Sequence, residues 1–327
     1  MRADRRGDDL CLDCHGDGSA KPIAALYRKP YGHGIPLTGR HDAAEGKYAP
    51  PGRRLPESSA GTPRHVACVD CHNPHASNGA PSIAPSAGGA LAGVWGIGLD
   101  GEPVTPARYE YEVCFKCHAD SANMPQNAAL RLPGTARRAN DDFNLRRVFA
   151  PDAVSSHPVA VAGRAGPSPS LDPSASRSVL CSDCHASDAA GGAPASARGP
   201  HGSSYRFILA RQYLTQDLAA ESPEAYALCY GCHVRDVLLS SRSTFPLHRR
   251  HVVDQAAPCS ACHDAHGISA QSGTLRNNAH LVSFDLEIVK AGTAANPSYE
   301  GAAPGRGSCN LTCHGALHAP ATKFFSY

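Results

Sequence analysis

The stretch Pro258-Cys259-Ser260-Ala261-Cys262-His263-Asp264-Ala265-His266-Gly267 decides how this chain is read. Two thiols three positions apart can each add across one vinyl group of a single protoporphyrin. The histidine directly after them stands where its imidazole can bind the iron, which is the Cys-x-x-Cys-His signature of covalent haem attachment. Five more copies occur, at Cys11, Cys14 and His15, at Cys68, Cys71 and His72, at Cys114, Cys117 and His118, at Cys181, Cys184 and His185, and at Cys229, Cys232 and His233. A seventh, Cys309-Asn310-Leu311-Thr312-Cys313-His314, has one extra residue between its thiols, which a bulged loop would accommodate. All 14 cysteines are used, two per site, so seven covalently bound haem c groups are predicted. Their proximal iron ligands would be His15, His72, His118, His185, His233, His263 and His314.

Two plainer readings compete. Paired cysteines near histidines also describe zinc sites, but zinc does not require a histidine immediately after every second cysteine. An even cysteine count suits a disulfide scaffold, yet pairing within these short spacings would be strained and would leave the histidines unexplained.

Composition fits a chain built around cofactors. One Trp, eight Phe and 11 Tyr stand against 31 Gly and 27 Pro in 327 residues, leaving few side chains able to build an interior. The expected fold is mostly coil with short α-helices, a haem-packed core and little or no β-sheet, and the apoprotein is not expected to fold. The formal charge of +2 omits haem propionates, so the loaded protein should be acidic. Lys and Arg are scattered, with short clusters such as Arg137-Arg138 and Arg249-Arg250. Without a basic face or stacking module, no nucleic-acid partner is expected. No apolar run is long enough to form a transmembrane segment. Haem of this kind is attached outside the bacterial cytoplasm, so the chain is expected to follow a cleaved export signal, or to begin at a misassigned start.

From about residue 61 the attachment sites pair at near-constant spacing: 46 residues from Cys68 to Cys114, 48 from Cys181 to Cys229 and 50 from Cys259 to Cys309. The predicted organisation is an N-terminal single-haem segment (1–60) and three two-haem units (61–150, 151–245 and 246–327), the last ending in a C-terminal tail. Thr105-Pro106 and Ser222-Pro223 read as N-caps with proline at the first helical position, leading into Cys114 and Cys229. Gly305-Arg306-Gly307-Ser308 before the seventh site offers no such lead-in.

Seven of the 18 histidines lie in the attachment motifs, leaving 11 for the second axial positions. Met1 is terminal and Met124 isolated, so bis-histidine ligation is expected throughout, favouring low potentials. Repeat position selects His75, His201 and His266 downstream of the first member of each pair, and His65, His157 and His251 upstream; His33 is assigned to the N-terminal site. His248, His280 and His318 are alternatives, and His41 a weaker one. A histidine three residues after a proximal one cannot reach the opposite face of the same iron, so it should serve a neighbour.

Segments such as Cys68-Val69-Asp70-Cys71-His72-Asn73-Pro74-His75 and Gly199-Pro200-His201-Gly202-Ser203 resemble the doubled Cys-x-x-Cys-His multihaem cytochromes of metal-respiring bacteria, from about residue 61 onward. The resemblance implies anaerobic electron transfer in the periplasm, at the cell surface or outside the cell. Its partners would be other cytochromes or redox proteins as donor and acceptor. Some multihaem relatives form extracellular cytochrome filaments, which makes a homo-polymer conceivable. The expected role is an electron carrier, as shuttle or filament protomer, and not an enzyme. The rival is a multihaem reductase or oxidase, which needs one iron with an open position, and no Cys-x-x-Cys-Lys site marks one.

Overall fold

The computed structural model describes residues 8–19, 21–33, 66–120, 137–160, 168–188, 197–303, 306–319 and 325–326. Two compact units emerge, 1–124 with 179–212 and 125–178 with 213–327. The first holds four attachment sites and the second three. Each is discontinuous in sequence, so the segments 61–150 and 151–245 both contribute to both units.

The described chain is mostly coil, with short helices. In the first unit these are Asp9–His15, Ala24–Tyr27, Cys68–Cys71, Glu110–His118 and Cys181–Cys184, with two-residue strand pairs joining Tyr31–Gly32 to Gly202–Ser203 and Gly96–Ile97 to Pro103–Val104. In the second they are Leu145–Val148, Ala227–Tyr230, Arg235–Leu238, Cys259–Cys262 and Leu275–Asn278, with a wide π-type turn over Arg249–Asp254. Sheet structure is concentrated there: Arg306–Cys313 runs antiparallel to Ser298–Ala303, Lys290–Ala291, Ala316–His318 and Phe325–Ser326.

A one-turn helix has more orphan N–H groups than hydrogen bonds, so its start must be satisfied from outside. The aspartate before the second cysteine does this. Asp70 accepts from the Ala67 N–H at 2.7 Å, and Asp183 from the Leu180 N–H at 2.8 Å, each carboxylate reaching back one turn. At Cys259–Cys262 the residue in that place is Ala261, and the cap is Pro258, which has no N–H to satisfy.

The helix expected from Pro106 begins later, at Glu110. Glu112 accepts from the N–H groups of Arg108 (2.7 Å) and Tyr109 (3.0 Å), so this carboxylate rather than Thr105 sets the start. The helix expected from Pro223 also begins later, at Ala227, while the Ser222 hydroxyl accepts from the Ala225 N–H at 3.0 Å and holds the turn before it.

Side-chain packing is patchy. Val94, Ala107 and Val113 form one small cluster; Ala225, Tyr226, Leu239 and Val252 a second; Ala261, Phe284, Val289 and Leu311 a third. In the third, cysteines of the sixth and seventh sites pack against the buried residues.

Candidate haem-binding centres

On a helix, positions i, i+3 and i+4 share one face. A one-turn helix across Cys-x-x-Cys therefore presents both thiols on one side, with the next residue delivering its imidazole. The histidine must then be oriented. His72 Nδ1–H donates to the Ala90 carbonyl (2.9 Å), His185 to Phe207 (2.8 Å) and His263 to His280 (2.9 Å). A carbonyl can only accept, so Nδ1 holds the proton and Nε2 keeps its lone pair, the arrangement typical of metal-binding histidine.

These acceptors were not visible in the sequence. Each is the central residue of a short turn 18, 22 or 17 residues downstream. In two of them the backbone is left-handed at consecutive non-glycine residues: Phe207 (φ 62°) and Ile208 (φ 56°), His280 (φ 59°) and Leu281 (φ 62°). Such a conformation costs about 1–3 kcal/mol per residue and persists only where its surroundings hold it. Here the chain after each turn returns to its attachment helix, with Ala210 N–H donating to Cys184 and Ser283 N–H to Cys262, both at 2.8 Å.

A second duplication positions histidines outside the motifs. His33 Nδ1–H donates to Pro200 (3.0 Å) and His157 Nδ1–H to Ala265 (2.6 Å), in each case the residue before another histidine, His201 or His266. The glycine after that histidine allows close approach. A Cβ on Gly202 would meet the Leu26 carbonyl at 1.9 Å, and one on Gly267 (φ 122°) the Ser155 carbonyl at 2.2 Å.

Histidines also come in facing pairs. A metal–imidazole bond is about 2.0–2.1 Å, so two imidazoles on opposite sides of one iron hold their ring centres about 6 Å apart. His72 and His201 are 6.0 Å apart, His118 and His33 6.1 Å, and His263 and His248 6.3 Å. Each pair joins a motif histidine to one from elsewhere in the chain. A fourth, His251 with His318 at 6.2 Å, joins two histidines outside the motifs. His248 and His251 are three apart at the π-type turn, with Nδ1 of one bonded to the Ser243 hydroxyl (2.9 Å) and Nδ1–H of the other donating to Leu247 (2.9 Å).

Burial pushes His201, His248 and His263 down to about 4, and lowers His33, His157, His233 and His318, so these imidazoles are neutral at neutral pH. Neutral imidazole is the ligand form.

His157 lies near His233, whose Nδ1 pairs with the Ser170 hydroxyl at 3.0 Å, and His15 lies near His201. His75, His266 and His280 are exposed, His266 edge-on to Phe149. His41 and His65 lie outside the described residues. His248, an alternative in the sequence reading, is the histidine facing His263.

Thiols of successive sites lie near one another: Cys68 near Cys11, Cys71 near Cys114, Cys114 near Cys181, Cys229 near Cys259, and Cys262 near Cys309 and Cys313.

The seventh site differs. Cys309 and Cys313 lie on the strand Arg306–Cys313, and His314 with Gly315 forms the two-residue turn to Ala316–His318, at φ 48° and 77°. His314 Nε2 is bonded to Asp217 at 2.9 Å.

None of the 14 cysteines is disulfide-bonded, and among the described residues no three histidine, cysteine or carboxylate side chains gather around one point as a zinc ion would need. Paired thiols with facing imidazoles fit a planar cofactor ligated from both sides. No helix among the described residues is long and apolar enough to cross a membrane. Comparison with protein-family models, curated proteins and solved structures finds no match.

Proposed function

We propose that this chain is a heptahaem c-type cytochrome that carries electrons through closely packed, bis-histidine haems outside the cytoplasm, as a shuttle or as the protomer of a filament. The observation that carries this reading is the facing of His72, His118 and His263 by His201, His33 and His248 at the span of one doubly ligated iron. Haem, when bound, supplies a one-electron iron couple. The chain's own residues do the rest. Cysteine pairs would anchor each porphyrin, Nδ1–H donation to backbone carbonyls would leave Nε2 of His33, His72 and His263 for iron, and at the three paired sites a second imidazole would take the position a substrate needs. The nearness of thiols of successive sites supports short edge-to-edge distances, which fast electron tunnelling demands.

Carbon monoxide separates carrier from enzyme. The reduced protein is expected to take up none, with a redox titration spread over low potentials. Stoichiometric uptake at one haem would argue for the reductase reading instead.

A further inference from the structure

We infer that the fourth and sixth sites, built alike, are tuned apart by opposite buried charges: Arg138 raises the potential of the sixth haem, and Glu110 lowers that of the fourth. The inference rests on the haem reading above and concerns residues outside the attachment motifs.

The two sites are copies. Each reads Cys-Ser-x-Cys-His, as Cys181-Ser182-Asp183-Cys184-His185 and as Cys259-Ser260-Ala261-Cys262-His263. In each, the motif histidine donates to a carbonyl in a left-handed turn, and the chain after that turn bonds back to the second cysteine. What lies against the serine differs. At the fourth site the Ser182 N–H and hydroxyl donate to the two oxygens of Glu110, at 2.7 and 2.8 Å, and Asp183 caps the same turn. At the sixth the Ser260 carbonyl accepts from Arg138 at 2.9 Å, and Ala261 stands where Asp183 does.

Arg138 is held from three sides. Its guanidinium donates to the Ser260 and Ser283 carbonyls and lies 3.4 Å from Asp264, with the side chain only 8% exposed. It therefore ties the attachment helix to the returning chain and to the residue after His263. A guanidinium keeps its charge in a protein, and a charge shielded from water acts strongly on its neighbours. A cation favours ferrous over ferric iron, and a carboxylate does the reverse. Asp264 is more exposed, at 28%, so water screens it more than it screens Arg138. Asp285 is buried beside this segment and accepts from the Glu287 N–H, so without Arg138 two carboxylates would stand unbalanced. Glu110 is also buried, and its hydrogen bonds come from Ser182. Lys116, in the same unit, donates its ammonium to the Asp70 carbonyl at the second site. Burial pushes the Glu110 carboxyl up, and the two bonds from Ser182 oppose that.

The test uses the loaded protein and three variants, Arg138→Gln, Arg138→Lys and Glu110→Gln. Intact mass counts covalent haems, and a redox titration in mildly alkaline buffer, which keeps the carboxyl ionised, follows the one-electron steps. Arg138→Gln is expected to shift one step to lower potential, and Arg138→Lys to leave it near its wild-type place, which a mechanical clamp needing the forked guanidinium would not do. Glu110→Gln is expected to shift a step to higher potential. Shifts of the same sign in Arg138→Gln and Glu110→Gln, or unmoved steps in either, overturn the inference. If Arg138→Gln does not take up its sixth haem, Glu110→Gln decides alone: a step that rises supports the inference and one that does not overturns it. Wild-type protein without covalent haem at Cys181 and Cys184 or at Cys259 and Cys262 would instead sink the underlying reading.

Discussion

The sixth and seventh attachment motifs lie in the same compact unit, yet they are built on opposite kinds of backbone. Cys259–Cys262 is one turn of helix, with its two thiols a helical turn, about 5 Å, apart along the axis. Cys309 and Cys313 sit four residues apart on a strand, which rises about 13 Å over that distance. The helical site is held by local contacts: Pro258 removes the need for a cap, Ala261 is buried, and the His280 carbonyl orients His263. The strand site has Cys309, Leu311 and Cys313 on one face, at more than twice the helical spacing. One inserted residue therefore does more than lengthen a loop. It changes which residues share a face.

The largest effects should come from altering that parity. Inserting a glycine between Ser260 and Ala261 turns His263 out of register and displaces Ala261 from its cluster, so the expected product lacks the sixth haem and folds poorly, as read by intact mass and soluble yield. Deleting Thr312 restores the Cys-x-x-Cys-His spacing of the other six motifs, and a seven-haem protein is expected. A six-haem product would mean that the strand spacing is itself needed at this site.

A smaller contrast tests the two faces of the hairpin. Leu311 is buried on the inner face, and Leu311→Ala should cost about 2–5 kcal/mol. Leu317, paired with Thr312 and 59% exposed, should cost little when changed to Ala. Equal losses in denaturant titrations would show that the inner face is misassigned.

Capping differences are smaller again. Asp183→Ala leaves the Leu180 N–H without its acceptor and should cost about 1 kcal/mol. Pro258→Ala creates an N–H where no carboxylate waits, and should cost a similar amount unless a second change supplies one. The smallest effect is one of pH, next to the fifth site. Glu221 is bonded to Arg235 (2.5 and 2.8 Å) and to the Tyr230 hydroxyl (2.9 Å), and the guanidinium holds its carboxyl below the ordinary 4.5. Its stabilisation is complete above that ordinary value and is lost as pH falls through the depressed one. Denaturation midpoints followed from pH 6 to pH 3 should fall less steeply in Glu221→Gln than in the parent.

Much of this was legible in the residues. A scarcity of large side chains beside abundant Gly and Pro foretold coil and short helices. Less legible was whatever depends on distant parts of the chain meeting. His201 falls in sequence with the fourth site but faces His72 of the second, and nothing local could select His248 over His266 for His263. The carbonyls of Ala90, Phe207 and His280 carry no side-chain signal at all. The strand at the seventh site was foreshadowed only by the missing helical lead-in before Cys309, where Gly307 and Ser308 stand in place of a capped turn.

The most direct test of the account is the intact mass of the mature protein, read with the visible spectrum of its reduced form. The polypeptide should carry seven covalent haems, with peptide mapping placing one on each cysteine pair including Cys309 and Cys313, and the bands should be those of low-spin iron. A bare polypeptide mass, or spectra without those bands, would contradict it.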